Sequence, residues 1–367
     1  MTKQRANVLL IGSGRMGAIR ARHMFANPRY HLCGVVDVNK AGAETLAETY
    51  NCEAFSTLSE AIERFTVSTG SPGGIEEGGV TAACDTSVSS VGDDDAPAIA
   101  LHAIVISTPT FTHAKLIEEA CRYGLAVFTE KPVDETAEKI VDLFEMCRAA
   151  NVTLACGFQR RFDSSYVYVK NQIANDEIGK PLMANIFFAD HPCPPVEFLL
   201  KGGNIFMDLL CHDADYIRWC LDGDDVASIY ATGTSSIPVL EEAGVHDNAT
   251  VVMKFKKGAV VTLSMSRSAS YGYDQRCEIF GEKGLVKVAN EHSCTGVLSN
   301  SAGIHQTTYK PGFASRFGEA FAAEMDAFAD SILDGAEWPI TAEDCIAAQK
   351  MADAAIVSCR EGRAVEL

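Results

Sequence analysis

Residues 8–17 read VLLIGSGRMG, an apolar run followed by three glycines. The run Val8–Ile11 predicts a buried strand, and the apolar spacing of residues 16–25 predicts a helix. A G-x-G-x-x-G pattern between a strand and a helix is typical of a dinucleotide-binding loop, although the pattern alone is weak. The context strengthens it, because a second predicted strand ends on Asp37, twenty positions after the third glycine.

The three glycines and the acid have separate predicted roles. Gly12 permits the tight turn, Gly14 lets the backbone approach a pyrophosphate at the helix N-terminus, and Gly17 allows the helix to pack closely on the strand. Asp37 accepts hydrogen bonds from ribose hydroxyls, and its charge repels a 2′-phosphate. The sequence therefore predicts NAD in preference to NADP, with Lys40 as a nearby charge that favours NADP.

Strands and helices continue to alternate as far as residue 156, which predicts a parallel sheet with helices on both faces. We expect an α/β dinucleotide-binding domain at residues 1–156. Residues 67–97 interrupt the pattern with glycine, serine and acidic residues and without lysine or arginine. This composition predicts a mobile surface loop, with a functional lid as the alternative.

The second half of the chain follows a different pattern. Strand-like runs separated by turn residues predict an antiparallel or mixed sheet. An apolar stripe from Phe317 to Ile332 predicts a long amphipathic helix near the end. We expect a second domain of the α+β class at residues 157–367, since a chain of 367 residues is too long for one ordinary core.

Composition narrows the class of protein. Acidic residues outnumber basic ones 49 to 31, a net charge of -18, which disfavours nucleic acid and anionic membrane surfaces as partners. No uncharged apolar run is long enough to span a membrane, and the glycine loop comes too early to leave room for a secretory signal. The 13 cysteines are scattered without C-x-x-C spacing, so we expect reduced thiols, no metal site and a cytoplasmic location.

Two further strand ends carry candidate chemistry. Ser107-Thr108-Pro109 follows one predicted strand, with His113 four residues beyond the proline, and Glu130-Lys131-Pro132 ends the next. The carboxyl ends of parallel strands line the ligand crevice, so we expect both segments to face the cofactor. The alternatives are a histidine without chemistry at a helix N-terminus and a solvated lysine before a helix.

Asp208 and His212 lie four apart on a predicted helix over residues 205–221, and therefore on one face. A carboxylate beside an imidazole orients it and raises its basicity, as a general base requires. On spacing alone, a surface pair without chemistry is the alternative, because the same helix carries Asp213 and Asp215.

Taken together, these segments resemble the Gfo/Idh/MocA oxidoreductases. The resemblance rests on the glycine loop, the Ser-Thr-Pro and Glu-Lys-Pro segments, GFQRRFD at residues 157–163, GGNIFMDLLCHDADYIRW at 202–219 and YGYDQRCEIFGEKG at 271–284. It covers essentially the whole chain except residues 67–97, and the members that oxidise myo-inositol are the most similar. It implies a Rossmann domain and an α+β domain with an open, mostly antiparallel sheet, whose free face joins the subunits of a homo-oligomer, a dimer or a tetramer.

The resemblance also implies roles for individual residues. Lys131 holds the reacting hydroxyl, His212 takes its proton, and Asp208 orients His212. The segment after Ala184 departs from the family pattern, and there Asp190 and His191 are candidate substitutes for the residues that grip the ring. The expected substrate-binding residues are Lys131, Arg160, Asp190, Asp208, His212 and Tyr273. The expected cofactor-binding residues are Gly12, Gly14, Arg15, Met16, Gly17, Asp37, Ser107, Thr108, Pro109, His113, Glu130 and Lys131.

We therefore expect NAD-dependent oxidation of a secondary hydroxyl of a cyclic polyol or sugar, with myo-inositol as the first choice. A dehydrogenase or reductase of another sugar or of a trans-dihydrodiol stays open. So does a regulator that binds the nucleotide without catalysis, although such a protein need not keep Lys131, Asp208 and His212 together.

Overall fold

The computed structural model describes residues 4–66, 100–201 and 204–367. The loop predicted at residues 67–97 lies outside these ranges. Two sheets organise the described chain, one of six strands and one of seven, and a two-stranded hairpin stands apart from both. Within the described ranges, no helix is long and apolar enough to cross a membrane.

The first half of the chain builds a sheet in which every pair of neighbouring strands is parallel. In chain order its elements are β1 (Ala6–Ile11), α1 (Arg15–Ala26), β2 (Tyr30–Val36), α2 (Lys40–Tyr50), β3 (Glu53–Phe55), α3 (Leu58–Thr66), β4 (Ala103–Ile106), α4 (His113–Arg122), β5 (Ala126–Glu130), α5 (Ala137–Ala149) and β6 (Leu154–Gly157). The strand order is β3-β2-β1-β4-β5-β6, so the direction of winding reverses between β1 and β4. Such a reversal opens a ligand crevice beyond the carboxyl ends of the strands.

At two positions beside this crevice, any side chain would collide with the backbone, so both residues are glycine. Gly12 has a φ of +104, and a Cβ there would lie 2.6 Å from the carbonyl oxygen of Ser107. A Cβ on Gly17 would lie 2.0 Å from the carbonyl oxygen of Gly12. Only glycine therefore lets α1 begin this close to the loop after β1.

The rest of the chain builds a mixed sheet, as the turn-separated strands predicted. In chain order its elements are α6 (Ser164–Ala174), β7 (Pro181–Ala189), α7 (Val196–Lys201), α8 (Cys211–Cys220), β8 (Val226–Thr234), α9 (Pro238–Glu242), β9 (Asn248–Phe255), β10 (Val260–Ser266), β11 (Asp274–Gly281), β12 (Leu285–Val288), β13 (Val297–Asn300), β14 (Gly303–Gln306), α10 (Phe313–Arg316), α11 (Gly318–Asp334), α12 (Ala342–Glu361) and β15 (Val365–Glu366). The strand order is β12-β11-β7-β10-β9-β8-β15, with β7 and β10 parallel and the other pairs antiparallel.

Among the described residues, only one face of this second sheet is covered by other elements of the chain. Along β9 and β10 every second residue is buried, and α8 and α12 pack on the buried side. The alternate residues, such as Thr250 and Val252, point the other way and are exposed. This period of two is what a half-buried strand requires.

The last long helices serve both cores. Met325 and Phe328 of α11 lie in the core of the first domain, whereas Phe317 and Phe321 lie in the core of the second. Phe328 packs edge-on against Phe128 of β5, with ring centroids 5.5 Å apart. The apolar stripe predicted α11 itself but not this shared packing, because a stripe does not reveal which surface covers it.

The helix predicted over residues 205–221 differs in its first part. Phe206–Leu210 form a π-helix, and α8 continues from Cys211. A π-helix pairs residues i and i+5, so it widens the turn and changes which side chains share a face. Such bulges are frequent at functional sites, and this one contains Asp208.

Candidate active site

Lys131 and Asp208 join the two domains at the crevice. Lys131 directly follows β5, and its Nζ donates hydrogen bonds to Asp208 Oδ1 at 2.8 Å and to the Asp208 carbonyl oxygen at 2.9 Å. The two side chains are 14% and 32% exposed, so the pair is partly buried but still open to the crevice. An ammonium and a carboxylate are thereby fixed where the carboxyl end of β5 meets the second domain.

Arg267 holds the other oxygen of Asp208. It follows β10, its side chain is fully buried, and its Nη1 donates to Asp208 Oδ2 at 2.7 Å and to Asp190 Oδ2 at 3.0 Å. Lys131, Asp208, Arg267 and Asp190 thus form a chain of alternating charges, here called the charge chain. Sequence reasoning missed Arg267, although its place just after a predicted strand and before the YGYD segment was a usable signal.

The charge chain fixes the protonation of its members. Burial alone would raise the pKa of Asp208, but Lys131 and Arg267 hold that pKa well below its usual range. Burial alone would lower the pKa of Lys131, but Asp208 raises it above its usual value. Asp208 is therefore a carboxylate and Lys131 an ammonium at neutral pH.

His212 lies near the charge chain as a neutral imidazole. Burial, reinforced by the positive charges of Lys131 and Arg160, lowers the pKa of His212 well below its usual value. Its Nδ1 is buried and has no hydrogen-bond partner within the described part of the chain. Its ring packs edge-on against Phe158, with ring centroids 6.3 Å apart. A neutral imidazole can accept a proton, which is the state that a general base needs.

The predicted pairing of Asp208 with His212 needs correction. Both carboxylate oxygens of Asp208 are engaged by Lys131 and Arg267 instead. The spacing rule assumed an α-helix, and the π-helical turn that carries Asp208 breaks that assumption. Asp208 therefore acts on His212 through its charge, which raises the pKa of His212, but burial together with the charges of Lys131 and Arg160 outweighs this effect.

Arg160 does not occupy the substrate-facing position that the resemblance implied. It is 1% exposed, forms an ion pair with Asp213 and donates a hydrogen bond to Gln275 Oε1 at 3.0 Å. Gln275 also donates to Asp213 at 3.1 Å, which closes a buried cluster beneath α8. Arg160 acts on the site through its positive charge, which together with burial and Lys131 lowers the pKa of His212.

Three other predicted substrate contacts, Tyr273, His191 and Asp190, are engaged within the protein. Tyr273 is 3% exposed, with its ring packed edge-on against Phe188 at 5.6 Å. His191 donates from Nδ1 to the carbonyl oxygen of Ala269 at 2.7 Å, so this nitrogen is engaged within the protein. Asp190 joins the charge chain, and burial raises its pKa even though Arg267 opposes the rise.

Asp37 is held against the glycine loop. Its Oδ2 accepts hydrogen bonds from Ser13 N at 2.6 Å and Ser13 Oγ at 2.8 Å, and its Oδ1 accepts one from Asn39 N at 2.8 Å. Burial would raise the pKa of Asp37, but these donors lower it. A permanent negative charge therefore stands just after β2, where a ribose would lie.

The glycine loop has room for a dinucleotide. A Cβ on Gly14 would meet no atom of the described chain within 4 Å, in front of the N-terminus of α1. Nearby, Ser107 Oγ is buried and lacks a hydrogen-bond partner among the described residues. Open space at a helix N-terminus fits a pyrophosphate, and the carboxylate of Asp37 fits ribose hydroxyls but not a 2′-phosphate.

His113 and Glu130, predicted as cofactor contacts, lie behind the crevice. His113 is 1% exposed, and its ring nitrogens face the carbonyl oxygens of Thr108 at 2.9 Å and Pro132 at 3.0 Å. Glu130 Oε1 accepts a hydrogen bond from Arg20 Nε at 2.6 Å. Both side chains are engaged within the protein at the strand ends, and their contacts with the cofactor stay a prediction.

The remaining predicted cofactor residues lie on the two sides of the switch point. Arg15 and Met16 begin α1, and Thr108 and Pro109 follow β4. The guanidinium of Arg15 lies over the ring of Phe313, 4.6 Å from its centroid. Their contacts with the cofactor stay a prediction.

Comparison with known proteins decides the family. Residues 6–158 match the model for the oxidoreductase family with an NAD-binding Rossmann fold, and residues 166–287 match the GFO/IDH/MocA C-terminal domain. The chain belongs to the Gfo/Idh/MocA family. It is an NAD-dependent dehydrogenase that acts on CH–OH groups, which confirms the predicted fold, family and cofactor and sets aside the non-catalytic regulator.

Its relatives include enzymes named for inositols. The chain is 33% identical to an inositol 2-dehydrogenase of Rhizobium meliloti, over 98% of both chains. It is also 33% identical to the scyllo-inositol 2-dehydrogenase (NAD(+)) of Bacillus subtilis, over 98% of this chain and 95% of the relative. A scyllo-inositol dehydrogenase from Lactobacillus casei, solved with NAD(H) and scyllo-inositol, aligns over 99% of both chains with a TM-score of 0.85 and 26% identity.

The two glycines at the start of α1 give a matched pair of variants. Gly14→Ser should weaken NAD binding at least about tenfold without lowering thermal stability, because serine is a good N-cap but its side chain fills the pyrophosphate space. Gly17→Ala should destabilise the apo protein by about 2 kcal/mol or more, because its Cβ overlaps a backbone carbonyl. Titration calorimetry with NAD and thermal unfolding would separate the two. Equal NAD affinity in Gly14→Ser would contradict the placement of the pyrophosphate.

Arg267 should act on the pH profile as well as on the rate. In Arg267→Met, Asp208 loses one cation, its pKa rises, and the acid limb of kcat/KM should move to higher pH. We expect kcat/KM at pH 7 to fall at least about tenfold, with partial recovery in Arg267→Lys.

Arg316→Met is the control, because it breaks another buried ion pair, with Asp163. It should lower stability and leave the acid limb where it is in the unmodified enzyme. An unshifted limb in Arg267→Met would show that Arg267 serves folding only.

Proposed function

We propose that this dehydrogenase oxidises a secondary hydroxyl of a ring polyol, with myo-inositol as its first substrate. The observation that carries the proposal is the charge chain beside a neutral His212, placed at the switch point of a dinucleotide-binding sheet. A fixed ammonium, a neutral base and carboxylates that accept hydrogen bonds are what the oxidation of one hydroxyl among several requires.

Each residue has one task in the proposed reaction. NAD, which the glycine loop and Asp37 would hold, would supply a nicotinamide as the acceptor of hydride from the carbinol carbon. The Lys131 ammonium donates a hydrogen bond to the reacting hydroxyl oxygen and stabilises the negative charge that develops on it. Neutral His212 accepts the hydroxyl proton, which leaves a ketone as the product. Asp208 keeps Lys131 charged and oriented.

The same charges favour a polyol over a simple alcohol. Asp190 and Asp208 keep 15% and 32% of their side chains exposed and present carboxylate oxygens to ring hydroxyls. A hydroxyl that pairs with such a group makes a charge-assisted hydrogen bond, and a substrate without that hydroxyl loses about 1.5–3 kcal/mol of binding free energy. The relatives named for myo- and scyllo-inositol support a ring polyol.

We also propose a homo-oligomer, a dimer or a tetramer, joined through the uncovered face of the seven-stranded sheet. Large apolar side chains stand exposed on its strands, among them Met183 at 54%, Tyr230 at 43% and Phe280 at 42%. Large exposed apolar side chains on one face of a sheet are typical of a protein interface.

His212 should control both the rate and the pH profile. His212→Ala should lower kcat by roughly 10²–10⁴-fold, the usual contribution of a positioned base, and leave NAD affinity unchanged. Because the pKa of His212 lies well below 6.5, the free enzyme keeps its neutral base as pH falls through that value. The acid limb of kcat/KM reports the protonation of His212 and Asp208 together, and both pKa values are lowered, so the limb should lie below pH 6. A limb at 6.5–7 would contradict this assignment. The exposed His31 gives the control variant, His31→Ala.

A substrate panel tests the proposed function directly. myo-Inositol, scyllo-inositol, D-glucose, D-xylose and a 2-hydroxy acid would be assayed with NAD by absorbance at 340 nm. We expect the highest kcat/KM for myo-inositol. Faster turnover of scyllo-inositol or of one sugar would keep the polyol class and reject the first substrate. Faster turnover of the hydroxy acid would reject the class.

A further inference from the structure

A hairpin projects from the second domain without cover from the described chain. β13 and β14 pair antiparallel, and every residue in both strands is exposed. The apolar side chains of Val297, Leu298 and Ile304 are 53%, 59% and 77% exposed. A two-stranded hairpin is marginally stable alone, and free strand edges invite pairing with another chain. Residues 292–309, which include this hairpin, are here called the arm.

The arm lacks the charges that usually protect exposed strands. Residues 292–309 contain no Asp, Glu, Lys or Arg, whereas the chain-wide charged fraction of 22% would place about four in 18 residues. Proteins commonly place lysine on exposed strands to prevent association. An uncharged arm with exposed apolar side chains therefore has the character of a protein-binding surface.

A groove on the uncovered face of the seven-stranded sheet has the same character. It has a volume of about 440 Å³ and crosses β7, β8, β9 and β10. Hydroxyl and aromatic side chains line it, among them Thr232, Thr250, Ser264, Phe187 and Tyr271, and no charged residue of the described chain does. This depression is here called the groove.

The base of the arm contacts a residue that lines the groove. Tyr271 lines the groove and also packs edge-on against Tyr309 at the base of the arm, with ring centroids 5.8 Å apart. Tyr309 packs in turn against His292 at 4.9 Å and donates its backbone N–H to the carbonyl oxygen of Tyr271 at 3.1 Å. These contacts fix the base of the arm to the sheet that carries the groove.

We propose that the arm of one subunit docks in the groove of a second copy of this chain. The inference rests on the homo-oligomer proposed above and adds the contact that holds it together. A net charge of -18 on each copy opposes association except through uncharged surfaces, and the arm and the groove are two such surfaces. A charged partner finds no counter-charge on either. A reciprocal exchange about a two-fold axis would use both surfaces twice and close the assembly.

Charge placement on both surfaces tests the contact. The arm variant is Leu298→Glu with Ile304→Glu, and the groove variant is Thr250→Lys with Thr232→Lys, all at exposed positions. The combined variant carries all four substitutions. Two surface substitutions far from the arm, Tyr123→Glu and Tyr168→Glu, form the control. Sedimentation velocity from about 0.1 to 50 µM would give the mass and the association constant, and thermal unfolding would confirm folding.

The proposal predicts how strongly each variant associates relative to the unmodified chain. The arm variant and the groove variant should each weaken association at least about 100-fold, the combined variant should recover to within about tenfold, and the control should match the unmodified chain. A monomeric unmodified chain, an arm variant that associates normally, or a combined variant that stays dissociated would each overturn the proposal. The substrate assay reports separately on the proposed function, because ring-polyol oxidation by an unmodified monomer would preserve that function and reject only the arm contact.

Discussion

The contact between Lys131 and Asp208 is the constraint on which the site depends. One side chain comes from the end of a strand in the cofactor domain, and the other comes from a π-helical turn in the second domain. Their mutual charge keeps one protonated and the other ionised, and Arg267 binds the oxygen of Asp208 that Lys131 leaves. Burial, reinforced by the positive charges of Lys131 and Arg160, lowers the pKa of His212, so the ion pair also contributes to the neutral state of this imidazole.

Buried contacts behind Lys131 make its position rigid. Arg20 of α1 forms ion pairs with Glu130, the residue before Lys131, and with Glu324 of α11. The nitrogen–oxygen distance is 2.6 Å in both. Its guanidinium lies 4.4 Å from the centroid of the Phe128 ring. Burial raises the pKa of Glu324 to about 7, although Arg20 opposes the rise. The helix α1, the end of β5 that precedes Lys131 and the helix α11 therefore meet at one arginine.

Local sequence patterns were sufficient to predict the fold of both domains and some of the residues at the site. The glycine loop with Asp37 predicted the cofactor domain, because steric and charge requirements there involve residues close in the sequence. Spacing failed at Asp208 and His212, since a π-helical turn leaves no simple mark in a residue pattern. Arg267 lies 59 residues from Asp208, and pairing at that distance depends on the fold. Arg160 was misplaced because a buried arginine and a substrate-facing one look alike in sequence.

A double-mutant cycle on Lys131 and Asp208 tests the central claim most directly. kcat/KM for the accepted polyol would be measured in the unmodified enzyme, in Lys131→Met, in Asp208→Asn and in the double variant. If the pair acts as one unit, the double variant should lose no more than the worse single variant, a coupling of about 1.4 kcal/mol or more. Losses that add within about 0.5 kcal/mol would show that the two residues act independently and would contradict the account.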